Sequence, residues 1–150
     1  MKSKLIVVTT TSLSLLAGAA FAGSHMANEM TIVSWGGAYS KSQLKAYHEP
    51  YSANTGVTIL NDDSSSTAVA KLRAMNEAGN ITWDVVDVEA GPAMQLCDEG
   101  LAMEIDPDTM LAAAPDGTPA SEDFGDMLVS ECFIPQIVYS TTFGYRTDLV

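Results

Sequence analysis

The chain has 150 residues, 47% of them hydrophobic and 17% charged, which supplies a core and excludes a compositionally disordered polypeptide. Its formal net charge of −12 argues against nucleic acid or anionic lipid as a partner, because both are polyanions that such a chain repels.

The N-terminus reads as a targeting segment. Lys2 and Lys4 precede the apolar stretch "LIVVTTTSLSLLAGAA", and "AFA" at Ala20–Ala22 has the small-x-small cleavage pattern. Residues 1–22 are therefore expected to be a secretory signal peptide cut after Ala22. A membrane anchor is the alternative reading, but the run is short and broken by Thr and Ser. No later segment has the length and apolarity of a transmembrane span. Residues 23–29 form an N-terminal extension. Its "GSHM" has the look of an expression-vector scar, with natural sequence just after the cleavage site as the alternative, and His25 is given no functional weight. Removing Lys2 and Lys4 leaves five basic against 19 acidic residues, a net charge of −14 for the mature chain.

"MTIVSW" (Met30–Trp35) is apolar and β-branched and reads as a buried strand. The next stretch spaces Leu44, Tyr47, His48 and Tyr51 as a helix would, with Ser40 as N-cap and Gly56 as stop. Pro50 should kink that helix or end its first part. "VTIL" (Val57–Leu60) is a second strand. After the turn "NDDSSS", in which Ser66 is a candidate cap, Ala68, Val69, Leu72 and Met75 share one helical face and Gly79 ends it. "WDVVDV" (Trp83–Val88) is a third strand. The following helix has Pro92 near its first turn and Gly100 past its last. The stretch from Glu104 to Gly125 is rich in Pro, Asp and Gly and reads as a surface excursion with a short helix at most. "CFIPQIVYSTTFGYRTDLV" returns to strand composition. Strands alternating with helices imply an α/β fold: an open, mainly parallel sheet with helices on both faces.

Two cysteines, Cys97 and Cys132, in an exported chain imply one structural disulfide. Closing that loop of about 36 residues is worth roughly 3–4 kcal/mol in the chain-entropy account. The spacing suits neither a redox pair nor a zinc site, so no metal is expected there.

Enzyme motifs are nearly absent. No Ser stands in a G-x-S-x-G elbow, no P-loop lysine is present, and "WGGA" lacks the third glycine of a dinucleotide fingerprint. "NDDSSS" lacks the spaced acids of a calcium loop, and His48 lies on a helix face that already has a packing task. No cofactor is expected. Geometry points elsewhere. In an open α/β sheet, ligands bind beyond the carboxyl ends of the strands. Trp35, Gly36, Gly37 and Tyr39 follow the first strand there, Asp62 to Ser66 the second, and Glu89, Ala90 and Gly91 the third. The glycines let a ligand approach the backbone, the aromatics offer flat walls and cation–π faces, and Glu89 offers a charge for an ammonium. The alternative is that Trp35 packs on the sheet edge and Gly36-Gly37 is only a tight turn.

The order of "TIVSWGGAYSKSQLKAYHEPYSANTGV", "STAVAKLRAMNEAGNITWDVVDVE", "LCDEGLAMEID" and "STTFGYRTDLV" resembles the N-terminal lobe of bacterial extracellular solute-binding proteins. Within them it is most similar to the spermidine/putrescine-binding branch of ABC importers. The resemblance covers nearly all of Met30–Val150. It implies a clamshell of the type II periplasmic-binding-protein kind, with an N-terminal lobe over residues 30–139. Residues 140–150 would be the hinge crossover and the start of a second lobe, most of which is missing, so the chain reads as a fragment.

The resemblance also implies a monomeric, non-enzymatic periplasmic receptor that captures a polyamine-like solute and delivers it to a membrane permease. Trp35, Gly36, Gly37, Tyr39, Glu89 and Gly91 would be its ligand-binding residues on this lobe. Some polyamine binders carry Ser and Tyr where this chain has Glu89 and Gly91. An anionic or metal-bound solute, such as a phosphonate or iron, is the alternative, because the Gly36 and Gly37 amides open a helix N-terminus. An exported enzyme, lacking any nucleophile–base pair, and a non-transport interaction protein are the further alternatives. The Cys97–Cys132 pair resembles a disulfide found in parts of the family.

Overall fold

The computed structural model of the chain describes residues 28–149. The signal peptide expected over residues 1–22 and the "GSHM" stretch lie outside the described residues.

Three parallel strands form a sheet in the order β2-β1-β3, with β1 at Glu29–Val33, β2 at Thr58–Asp62 and β3 at Val85–Val86. Glu29 to Val33 pair in register with Thr58 to Asp62, and Ile32 and Val33 pair with Val85 and Val86. The apolar, β-branched runs are therefore the strands, with shifted ends. The first stops before Ser34 and Trp35, and the second continues through Asn61 and Asp62. The third is shorter than Trp83–Val88 because a side chain takes one ladder position. The Asp84 carboxylate accepts the Thr31 N–H at 2.7 Å. Backbone bonds flank that point, from Asp84 N–H to Thr31 O at 3.1 Å and from Asp87 N–H to Val33 O at 2.9 Å. The chain thus runs beside β1 as far as Asp87.

Helix α1 (Gly37–Gln43), a π-helical turn (Leu44–His48) and α2 (Glu49–Thr55) form one continuous helical run. It begins four residues earlier than a Ser40 cap implies. Gly36 occupies the cap position, and the Ser40 hydroxyl reaches back to accept the Gly36 N–H at 2.7 Å. Pro50 neither ends nor breaks the run. It has no N–H for the carbonyl of Ala46 and its ring crowds that carbonyl, and the wider π turn just before it absorbs both defects. Gly56 ends the helix in the left-handed conformation.

Helix α3 (Ala68–Glu77) follows a 3₁₀ turn at Ser65–Thr67. Thr67, not Ser66, holds its cap position, and no side chain caps it. β1 leads to β2 in one direction and β2 leads back past β1 to β3 in the other. Right-handed crossovers therefore put the residue 37–55 helix and α3 on opposite faces. Val33, Ala68, Leu72, Trp83 and Leu96 make the buried core, with Val69, Met75 and Val86 packed against it. Alternation along β1 turns Met30 and Ile32 to the other face.

Helix α4 (Ala90–Asp98) carries Leu96 and Cys97, and Cys97 is bonded to Cys132 with their Cα atoms 5.6 Å apart. The excursion contains two short helices rather than one, α5 (Pro107–Met110) and α6 (Ala120–Phe124). Its strand-like successor forms no strand. Among the described residues no strand pairs with residues 133–146, and Val138 and Phe143 are 83% and 86% exposed. β composition needs a neighbouring strand to take up its backbone groups. No helix among the described residues is long and apolar enough to cross a membrane.

Candidate functional site

The carboxyl ends of the three strands meet at one edge, and a hydrogen-bonded polar cluster joins them. Its centre is Asp87, just beyond β3. Asp87 Oδ2 accepts the Tyr39 hydroxyl at 2.8 Å and the Gln43 side-chain amide at 2.8 Å. Gln43 is 4% exposed and is held in turn by Ser34, whose hydroxyl donates to Gln43 Oε1. Ser65, at the start of the second crossover, donates its hydroxyl to the backbone carbonyl of Asp87. Gln136 Oε1 accepts from Gln43 at 3.1 Å and from Tyr39 at 3.4 Å. Ser34, Gln43 and Ser65 are buried, and among the described residues every buried side-chain nitrogen or oxygen has a partner.

The second loop is tied in twice at its start. Asp63 Oδ1 accepts the Ser40 hydroxyl at 2.8 Å, and Asp62 Oδ2 accepts the Trp83 indole N–H at 3.2 Å. Gly36 lies so close to this loop that a Cβ built on it would stand 3.3 Å from the Asp63 side chain. Its φ of 85° and ψ of −177° fall where only glycine sits without strain. "NDDSSS" is therefore a structural connector between loops. His48 is likewise structural, buried and hydrogen-bonded through Nδ1 to Asn61 Oδ1 at 2.7 Å.

A cavity of about 1450 Å³ is bordered by Met30 and Ile32 from one face of the sheet and by Leu72, Trp83 and Leu96 from the other. Trp35, Tyr39, Asp87, Glu89 and Gly91 all border it. Trp35 is exposed at 44% and Tyr39 is half-buried. Glu89 holds the cap position of α4 without a side-chain capping bond, and its Oε1 accepts the Tyr139 hydroxyl at 2.5 Å. Gly91 lies inside the first turn of α4 rather than in a loop. Gly36 and Gly37 are not part of the cavity wall, and the Gly36 N–H is taken by Ser40. The one cation–π contact among the described residues joins Lys71 to Trp83, at 5.2 Å, and not to Trp35 or Tyr39. Among the described residues no three His, Cys, Asp or Glu side chains come together as a metal-binding group.

The electrostatics follow from these contacts. Burial, then the hydrogen bond to Asp87 and its charge, raise the Tyr39 phenol above its ordinary value of 10.0. The hydrogen bond to Glu89, and then its charge, raise Tyr139. Both phenols therefore stay neutral donors at ordinary pH.

Asp87 and Gln43 are the residues that sequence reasoning missed. Asp87 had a visible signal: it is an acid between Val86 and Val88 at the carboxyl end of an apolar strand. Gln43 had a weaker one, its four-residue spacing between Tyr39 and Tyr47 on one helix face. Gln136 had none.

A family model of bacterial extracellular solute-binding proteins matches residues 46–150. The gamma-aminobutyric acid-binding protein of Pseudomonas aeruginosa is 34% identical over 132 residues, covering 87% of this chain and 35% of the relative. The chain thus spans about a third of the length of that curated relative. Two solved structures are also similar. The PBP AgtB from A. tumefaciens R10, in complex with agropinic acid, has 36% identity and a TM-score of 0.52 over 59% of this chain and 27% of that one. The PBP MotA from A. tumefaciens B6, in complex with glucopine, has 25% identity and a TM-score of 0.55 over 69% of this chain and 28% of that one.

Proposed function

Because the chain belongs to the bacterial extracellular solute-binding proteins, with the fold of a type II periplasmic-binding-protein lobe, we propose that it is part of a periplasmic receptor that captures a small amino-acid-like solute for an ABC importer. The solute carries a protonated nitrogen and a carboxylate, as gamma-aminobutyric acid does. The observation that carries this reading is the wall of the cavity at the strand ends, where Trp35 and Tyr39 stand with Asp87 and Glu89. Aromatic faces and carboxylates suit a protonated nitrogen. The relatives named for gamma-aminobutyric acid and agropinic acid support an acid group on the same ligand. A zwitterion also meets both sequence expectations that conflicted, one for a cation and one for an anion. The Gly36 amide supports the purely anionic reading less, since Ser40 already occupies it.

Trp35, Tyr39, Glu89 and Gly91 are the proposed contacts on this lobe. Gly36 and Gly37 shape the turn that presents them. A polyamine is the second reading. Its support is that Asp87 and Glu89 both border the cavity and no Lys or Arg does, although no relative reported above is named for a polyamine. Calorimetry on the protein expressed from its whole gene separates the two. Heat with gamma-aminobutyric acid and none with putrescine or spermidine supports the amino-acid reading. Heat with the amines alone overturns it in favour of the polyamine.

A further inference from the structure

Three carboxylates border the cavity, and they are not equivalent. Asp84 and Glu89 are exposed, whereas Asp87 is half-buried. Its two donors, the Tyr39 phenol and the Gln43 amide, are neutral and bind the same oxygen, Oδ2. Oδ1 accepts no hydrogen bond among the described residues. No buried side-chain oxygen is left without a partner, so Oδ1 reaches open space. The ion pairs among the described residues are Lys45–Glu49, Arg73–Glu99 and Arg146–Asp148, and none includes Asp87. A carboxylate drawn partly out of water without a counter-cation costs stability. The surroundings nonetheless fix it firmly. Ser34 holds Gln43, Gln43 and Tyr39 hold one oxygen, and Ser65 holds the backbone carbonyl. A rigidly held, uncompensated charge on a cavity wall is a preorganised half of an ion pair.

We infer that Asp87 is the specificity-determining charge of this lobe, receiving the protonated nitrogen of the solute on Oδ1. This rests on the amino-acid reading and adds an orientation to it. The nitrogen end lies against Asp87, and the carboxylate end points away from this lobe. Asp62, Asp63 and Glu89 at the same edge repel a carboxylate there and enforce that direction.

The test is Asp87→Asn in the protein expressed from the whole gene. The asparagine carbonyl still accepts from Tyr39 and Gln43, so the substitution removes charge and little else. Affinity for gamma-aminobutyric acid should fall about 10- to 100-fold, the range for a hydrogen bond to a charged group. The ligand-free melting temperature should stay level or rise, because an unpaired charge has been removed. Affinity within twofold of wild type overturns the inference. So does a lowered ligand-free melt or a failure to fold, either of which makes Asp87 a structural carboxylate. If wild type binds no gamma-aminobutyric acid, the amino-acid reading fails by itself. The ligand-free melt then decides the role of Asp87 alone: level or higher sustains an uncompensated charge, lower overturns it.

Discussion

Replacing Gly36 with alanine should damage the fold more than the same change at its neighbour, for reasons set by distance and dihedral angle. Gly36 has φ 85° and ψ −177°, a region essentially restricted to glycine, and forcing a Cβ residue into it costs about 1–3 kcal/mol. The new Cβ would also stand 3.3 Å from three atoms of Asp63. To relieve that contact Asp63 must move, and its bond to the Ser40 hydroxyl, 2.8 Å long, is then lost or stretched. A net hydrogen bond is worth about 0.5–1.5 kcal/mol. The sum is about 1.5–4.5 kcal/mol. Gly37 has φ 61° with nothing near its missing Cβ, so Gly37→Ala carries only the left-handed penalty of about 1–2 kcal/mol. Urea unfolding of both variants measures the difference, as a midpoint shift at unchanged slope. Gly36→Ala should be the weaker protein by about 1.5 kcal/mol, the difference between the midpoints of the two ranges. Equal midpoints, or a worse Gly37→Ala, would refute the close-approach argument.

Leu72 sits in the core beside Val33, Trp83 and Leu96, so Leu72→Ala should lower unfolding free energy by about 2–5 kcal/mol in the same assay. Opening the Cys97–Cys132 bond, whose ends are 35 residues apart, should cost roughly 3–4 kcal/mol. A melt unchanged by reductant would show that the crosslink does not restrain the unfolded chain. Tyr39 gives a signed pH dependence. Its phenol is raised above 10.0 in the folded protein by burial and Asp87, so folding favours the neutral form. That contribution is fully present below pH 10 and is lost as pH climbs beyond it, where the unfolded chain ionises first. Stability of wild type should therefore fall more steeply above about pH 10 than that of Tyr39→Phe. Parallel curves would remove Tyr39 from the linkage.

The strands and the main helices were legible because they follow from local pattern. Apolar β-branched runs became β1 and β2, and Ala68 and Leu72 share the buried face that their spacing requires. Gly56 stopped its helix because a left-handed residue was needed there. The misreadings also have local causes. Ser40 looked like a cap but serves one from within the helix, and Pro50 was accommodated by a π turn that no spacing rule signals. The site was legible only as an address. Trp35, Tyr39 and Glu89 follow the strands at the edge where ligands bind, but the partners that define their chemistry are remote. Gln43 meets Asp87 from 44 residues away and Gln136 from 93, and Tyr139 meets Glu89 from 50. No periodicity encodes such pairings, so an acid count at the strand ends cannot say which carboxylate a solute would meet.

The Gly36-Gly37 turn acquires its meaning from those pairings. Gly36 lacks the Cβ that would push Asp63 away, so Asp63 reaches Ser40 in the first turn of α1. The same serine oxygen accepts the Gly36 N–H, which fixes where the helix begins. Tyr39 stands next to that serine, and its hydroxyl, 2.8 Å from Asp87, depends on where the helix starts. A shift of one residue in that start would rotate Tyr39 by about 100° around the helix axis and remove it from the carboxylate. The glycine thus acts on the site without touching the cavity. It sets the register of α1, the register sets Tyr39, and Tyr39 with Gln43 sets the direction in which Asp87 presents its remaining oxygen.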